Sequence, residues 1–405
     1  MQDANSVTTE RLYYRDAYAT AFKAAVLSFE KNEVVLDRTL FFPEEGGQHA
    51  DHGVLGGFPV VDVQISEGEI RHILDLDHPI DPENKNTAGD IFKEGAEVSG
   101  EIDWKRRFSA MQQHSGEHIF SGLVHRIYGY KNVGFHLSDR EVTLDFDGAL
   151  TMEQALEIEE DANAAIADNL TTEIGFYDRA SREGIAYRSK LDLEGEVRIV
   201  TFPGIDRCAC CAPHVKQTGE IGLLKVLSVQ NYKGGTRVSI LCGMRAMAAF
   251  REVHGWMTET ANYLTAAAAE IPNLVRKMKT ETLQLRQELA AADAERLTLK
   301  AEKTVREEGG ADLFLFEERA QDSAVRSAIN DLTARQEGMI GIFTGSDAAG
   351  WKFVIGSGKR DTRDAVKVLR EKFGARGGGK PVMVQGSVNG NQKEILEYLK
   401  SSLQS

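Results

Sequence analysis

His114-Ser-Gly-Glu-His118 and Cys210-Cys-Ala-Pro-His214 lie 96 residues apart in the chain. In the first stretch the two histidines stand at i and i+4. On a helix this puts both rings on one face, a single turn apart. The second stretch sets a cysteine and a histidine four positions apart. Together they offer three nitrogens and one sulfur, a set that suits tetrahedral Zn²⁺. The spacing therefore predicts that a helix near 114 and a loop near 210 meet in one folded core. The bland alternative is a group of unrelated core histidines. Within the second stretch Cys210 has the x₃ spacing to His214, whereas Cys208 and Cys211 form a Cys-x₂-Cys pair of their own. His114 to His118 also reads as His-x-x-Glu-His, an inverted zinc-protease pattern with Glu117 as general base. Such proteases take a carboxylate as third ligand, and here Cys-x₃-His competes for that place.

Outward from this pair, residues 1–100 alternate short apolar runs with turn signals. Glu33-Val-Val-Leu36, Phe58-Pro-Val-Val61 and Ile70 to Leu76 are the runs. Gly46-Gly47, Gly56-Gly57 and Asp81-Pro82 punctuate them. This predicts a β-barrel-like domain. Residues 101–245 read as a mixed α+β core with helices over Arg106–Tyr128 and Thr151–Asn169, the second opened by a Thr151/Gln154 capping box. Strands are expected over Val197–Phe202 and Ile221–Val229. Residues 246–308 read as a long helical, coiled-coil-like arm. After Pro272 it runs 36 residues without Gly or Pro until Gly309-Gly310, about 54 Å of helix. Val275, Met278, Leu285, Leu289, Ala292 and Leu299 fall on its heptad positions, which allows dimerisation. Residues 309–405 alternate strand and helix signals around a glycine-rich loop, Gly374-Ala-Arg-Gly-Gly-Gly379, and read as a small α/β domain. The fold class expected for the whole is α+β.

The chain has 405 residues, 42% of them hydrophobic, and a formal net charge of −14. An acidic surface repels phosphate. The exception is the segment from Trp351 to Lys380, whose nine Lys or Arg against three acids leave +6. Lys359, Arg360, Arg363, Lys367, Arg370, Arg376 and Lys380 are its candidate polyanion-binding residues. Three of the four cysteines crowd at 208, 210 and 211, which does not resemble a disulfide framework. With no apolar run of membrane-spanning length and no apolar core in the first fifteen residues, a cytoplasmic protein without a membrane partner is expected.

Arg38-Thr-Leu-Phe-Phe-Pro-Glu-Glu-Gly-Gly-Gln48, Gln113-His-Ser-Gly-Glu-His118, Val133-Gly-Phe-His136 and Cys210-Cys-Ala-Pro-His-Val215 occur here in an order that resembles the editing module of alanyl-tRNA synthetase and its free-standing AlaX-type relatives. Gly356-Ser-Gly-Lys-Arg360 and Gly377-Gly-Gly379 resemble the DHHA1 domain that ends that synthetase. The metal motifs are shared with the threonyl-tRNA synthetase editing module; the Pro-Glu-Glu-Gly-Gly-Gln loop and the DHHA1-like end favour the alanine branch.

The resemblance implies a long-form editing factor that acts in trans, deacylating tRNA(Ala) mischarged with serine or glycine. It implies Zn²⁺ on His114, His118, Cys210 and His214, and catalytic or recognition roles for Thr39, Gln48 and Glu117. A tRNA grip in the C-terminal domain, and a homodimer through the arm or that domain, fit the same picture. One departure stands out. The family usually has Gly-Gly-Thr between Cys and His, where this chain has Cys211-Ala-Pro213. That motivates a second expectation, a zinc-stabilised tRNA-binding protein without catalysis. A phosphodiesterase is disfavoured because the chain lacks an Asp-His-His triplet.

Overall fold

The computed structural model describes residues 8–81, 83, 87–138, 141–189, 194–309 and 311–403. Pro82 and Gly310, read above as punctuation, lie outside the described residues. The chain divides into two compact units, Met1–Met257 and Thr258–Ser405, and the fold is mixed α+β.

The first unit opens with six strands that close on themselves. In order around the closure they are Ala21–Glu30, Glu33–Leu36, Glu69–Leu74, Phe58–Ser66, Gly53–Leu55 and Glu97–Ile102. Closure leaves no strand edge unpaired. Alternating inward residues such as Val26, Leu36, Val63, Ile70, Leu74 and Val98 fill it. Next comes the helix Trp104–Tyr128, whose first turn is capped by the Asp103 side chain accepting from Arg106 N, 3.0 Å away. Gly129 ends it in the left-handed conformation, φ 73°. A four-stranded sheet (Leu224–Tyr232, Gly235–Cys242, Val142–Phe146, Asn132–Leu137), a three-stranded one (Glu173–Tyr177, Val197–Phe202, Asp206–Ala209), a two-stranded one (Glu10–Arg11, Arg38–Thr39) and the helix Met152–Ala167, opened by the expected Thr151/Gln154 capping box, lie in the same unit. The strand expected over Ile221–Val229 begins later, at Leu224, because Thr218–Ile221 forms a 3₁₀ turn. Ile119, Phe120, Leu123 and Val124 pack with Leu144, Ile158, Phe202 and Ile240 in one core.

Helix and barrel are tied by a buried ion pair. Arg107, fully enclosed, donates from Nε to Asp51 Oδ2 (2.9 Å) and from its terminal nitrogens to Asp51 and the carbonyls of Ala17 and Leu40. Asp51 Oδ2 also accepts from Phe42 N (2.8 Å), which fixes the ends of the Pro43–Gln48 loop.

The helical pattern expected over 246–308 resolves as two helices, Gly243–Leu264 and Ile271–Glu308, with the break at 265–270 just before Pro272. Pro272 sits in the first turn of the second helix, 38 residues long, where a missing N–H costs nothing. The residues that bury are Leu297 and Ala301, with Val305 packed behind them, at i, i+4 and i+8. They meet Val325, Ile329 and Leu332 of the helix Asp322–Arg335. The heptad residues Val275, Met278, Leu285, Leu289 and Leu299 are exposed. The five-stranded sheet runs Leu313–Glu317, Ile340–Ser346, Gly350–Gly356, Met383–Val388, Arg376–Lys380. Its last member corrects the expected glycine-rich loop. Arg376–Lys380 is an edge strand, and a Cβ on Gly377 or Gly379 would lie 2.5 or 2.4 Å from a carbonyl of the neighbouring strand. No helix among the described residues is long and apolar enough to cross a membrane.

The barrel interior holds a buried histidine. His72 is enclosed; Nδ1 donates to Val34 O (3.0 Å) and Nε2 accepts from the Thr39 hydroxyl (2.8 Å). Burial pushes its pKa down to about 4, against the opposing Val34 bond. The unfolded chain takes up this proton near the ordinary value, whereas the folded chain does so only near 4. Stability is therefore lost as pH falls through that window. Between pH 7 and pH 5 the loss is about 2 kcal/mol. His72→Gln, which keeps an acceptor for Thr39, is expected to show a smaller fall in denaturant midpoint over that range than the parent. Equal falls would show that His72 is not the acid-sensitive group.

Candidate metal centre

The helix Trp104–Tyr128 is buried on every side from Ala110 to Val124, so each polar residue on it needs a partner. Gln112 donates to Glu220 O (2.9 Å), and Gln113 exchanges two bonds with the Cys242 backbone (2.7 and 2.8 Å). Of the rest, His114 and His118 face one point. The ligand atoms of His114, His118, Cys210 and His214 all lie within 4.8 Å of one another. Cys210 Sγ is 3.5 Å from His114 Nε2 and 3.3 Å from His214 Nε2.

These residues fit a tetrahedral ion on two grounds. Bonds of about 2.0–2.1 Å to nitrogen and 2.3 Å to sulfur give a tetrahedral N···S edge of about 3.5 Å, close to the separations found. All three rings also have Nδ1 engaged elsewhere. Gln48 Oε1 holds His114 Nδ1 at 2.8 Å, Asp206 Oδ2 holds His118 Nδ1 at 3.0 Å, and Ser115 Oγ holds His214 Nδ1 at 3.0 Å. This leaves Nε2 of each ring for the centre, the outer support that metal-binding histidines require. The electrostatics agree. Burial alone would raise the Cys210 thiol, but the adjoining His114 and His214 rings overcome it and hold it well below the ordinary range. Burial pushes Cys208 up to about 11. Cys208 instead lies with Asp206 beside His118. Cys211 is raised by burial too; it lies against the barrel core. Of the three crowded cysteines, the fold brings only Cys210 into the fourfold cluster.

The Cys211-Ala-Pro213 departure is absorbed locally. Ala212 is fully buried in the barrel cluster. Arg198 donates to the carbonyls of Cys210 (2.6 Å) and Ala212 (2.9 Å), which pins the loop without the usual residues. Phe135 and Phe202 lie tilted or edge-on against the imidazoles, with ring centroids 4.7–5.9 Å apart.

The three expected catalytic residues are placed differently from one another. Gln48 is in contact with the cluster; its Oε1 is used by His114, while its buried Nε2 has no partner among the described residues. Glu117 is buried on the same helix. Its Oε1 accepts from Ser121 Oγ and Asn132 Nδ2, both at 2.7 Å, and its Oε2 lies 3.8 Å from His118 Nε2. Thr39 is wholly buried in the barrel, with its hydrogen given to His72 and Phe41 N donating to its oxygen (3.0 Å). The hydroxyl expected to be free for a substrate is thus committed, with one lone pair to spare. Sequence reasoning missed Asp206, Arg188 and Ser115. Arg188 grips Asp206 with two bonds (2.6 and 2.8 Å). Burial opposes ionisation of Asp206, yet His118 and Arg188 hold its pKa at about 2.

Of the seven expected tRNA-binding residues, four are paired with carboxylates. Lys359 pairs with Glu337, Arg360 with Asp312, Arg363 with Asp361 and Lys367 with Asp364. Arg370 donates to Gly377 O (3.1 Å), and Arg376 and Lys380 are exposed on the edge strand.

Gly122 is the contact point between helix and Asp206. A Cβ there would stand 2.6 Å from Asp206 Cβ and 2.8 Å from Ile205 O. Gly122→Ala is expected to push Asp206 off His118. Metal retention against a chelator should fall roughly 10–100-fold, the usual cost of losing an outer-shell partner. Retention equal to the parent's would show that Asp206 does not support the centre.

Two family models match parts of the chain: the threonyl and alanyl tRNA synthetase second additional domain over residues 197–239, and class II (A) tRNA synthetases over residues 5–106. The alanyl-tRNA editing protein AlaX-L of Pyrococcus horikoshii is 28% identical over 98% of this chain and 99% of its own length. The alanine–tRNA ligase of Pyrobaculum neutrophilum is 30% identical over 98% of this chain but 44% of its own length. That of Methanoregula boonei is 29% identical over 93% and 41%. The chain thus spans less than half of the ligases it matches and nearly all of AlaX-L. By sequence the chain is similar to the alanyl-tRNA editing protein AlaX-L over nearly its whole length and to the corresponding region of the alanine–tRNA ligases.

Proposed function

We propose that this protein hydrolyses the ester between serine, or glycine, and the terminal adenosine of mischarged tRNA(Ala). One observation carries the reading. A buried three-histidine, one-cysteine cluster with a spare Gln48 amide beside it occurs in a chain that matches an alanyl-tRNA editing protein end to end. His114, His118, Cys210 and His214 would hold Zn²⁺. When bound, the ion would supply positive charge beside the ester and keep the pocket in shape.

The rest of the chemistry falls to the protein's own groups. Gln48 Nε2, buried and otherwise unsatisfied, would donate to the ester carbonyl as negative charge grows on its oxygen. Glu117, fixed through one oxygen by Ser121 and Asn132, would take a proton from the attacking water. Water adds its oxygen to the carbonyl carbon, the acyl–ribose bond breaks, and the proton passes to the departing ribose oxygen. A serine hydroxyl would donate to the remaining lone pair of Thr39, which alanine cannot do. Phosphate contacts from the C-terminal unit would come from Arg370, Arg376 and Lys380. Lys359, Arg360, Arg363 and Lys367 would join them by exchanging surface ion pairs, which are individually weak.

Incubation with Ser-tRNA(Ala), Gly-tRNA(Ala), Ala-tRNA(Ala) and a short oligonucleotide tests the assignment. Serine release well ahead of alanine release, with the oligonucleotide intact, is the expected result; no release of any amino acid overturns it in favour of binding alone. Thr39→Val should slow serine release by the equivalent of about 1–3 kcal/mol, the cost of an unpaired polar group. Thr39→Ser should restore it. An unchanged rate in Thr39→Val would remove Thr39 from recognition.

A further inference from the structure

Beside Asp206 the first unit has a cavity of about 440 Å³. Arg126, Arg188, Arg207, His125 and Tyr187 line it, and Asp206 is its only carboxylate among the described residues. Three guanidinium groups facing one carboxylate is an unusual balance in a chain of net charge −14. Arg188 neutralises Asp206, with paired bonds to both carboxylate oxygens. The other two cations are anchored by uncharged groups: Arg126 donates to Gly204 O (2.6 Å), and Arg207 to Thr201 Oγ1 (3.3 Å). A guanidinium has five donors, so each keeps N–H groups for a further acceptor while its position is fixed. Both are exposed at the cavity.

We propose that this cavity binds a backbone phosphate of the RNA strand whose end is being deacylated. Planar, pre-positioned guanidinium forks match phosphate oxygens in pairs. The half-buried Tyr187 ring offers a face for the adjoining sugar or base. Space for about a nucleotide, rather than for an inorganic ion alone, agrees with that occupant. The location adds a second reason. Arg188 both lines the cavity and holds Asp206, and Asp206 holds His118. A phosphate here is therefore joined to the metal centre through one ion pair and one hydrogen bond. The strand would be gripped beside the chemistry as well as at the C-terminal unit, where most of the expected cations are already paired.

The site rests on the tRNA reading above, but its test does not use hydrolysis. Zinc-loaded full-length protein is titrated with fluorescently labelled, uncharged tRNA(Ala) at several salt concentrations. Arg126→Gln/Arg207→Gln should bind more weakly, and the slope of log affinity against log salt should fall by about 1, the share of one phosphate. Arg126→Lys/Arg207→Lys should restore the slope, and zinc content, measured in parallel, should match the parent in both. An unchanged slope in the glutamine variant overturns the site, as does a loss that lysine fails to rescue. If the slope falls as stated but the parent releases no serine, the phosphate site stands and the hydrolase assignment fails. If serine is released and the slope is unchanged, the reverse holds.

Discussion

Four metal-binding atoms within 4.8 Å of one another, on three buried histidines and the half-buried Cys210, form an arrangement that a cation stabilises. The first unit is organised around keeping them there. The helix Trp104–Tyr128 supplies two rings, and the loop after Asp206–Ala209 supplies a thiolate and a third ring. Each ring is latched through Nδ1 by a residue from a different place: Gln48 from the barrel loop, Asp206 from a strand, and Ser115 from the helix itself. Arg107–Asp51 then locks the helix to the barrel loop that carries Gln48. Removing one partner of such a pair costs on the order of 3–5 kcal/mol, because it leaves a buried charge uncompensated. The barrel, helix and sheets thus share one set of constraints, and a shift in any of them reaches the ring nitrogens.

The four cluster residues were legible because their signal is local. An i,i+4 pair of histidines and a Cys-x₃-His each fix a face or a turn before tertiary structure is known. The choice between Cys210 and its neighbours was not fixed in that way. It depends on which thiol the strand Asp206–Ala209 and the Arg198-pinned loop turn inward. Asp206 and Arg188 carried no usable signal, since their roles exist only through His118, which is 88 residues from Asp206 in sequence. Thr39 stands out in sequence for its hydroxyl, but its partner His72 lies on the barrel strand Glu69–Leu74, 33 residues on.

In the second unit the same contrast appears in packing. The heptad stripe of Ile271–Glu308 is real as a pattern, yet Leu297 and Ala301, which flank Leu299 and are absent from the stripe, are what the sheet unit buries. Three consecutive glycines suggested a loop. A strand formed instead because close approach of a neighbouring backbone also requires glycine. Clustering of positive charge was visible in sequence, but its neutralisation by Glu337, Asp312, Asp361 and Asp364 was visible only once the chain was folded. The arginines around Asp206 show the opposite case, scattered in sequence and gathered by the fold.

The central claim is that these four side chains, and no others, hold one metal ion. X-ray absorption at the zinc edge, on protein purified without added metal, tests it most directly. The account requires a four-coordinate shell of three nitrogens at about 2.0 Å and one sulfur at about 2.3 Å. Two sulfurs, a shell of oxygens, or protein that carries no zinc would contradict it.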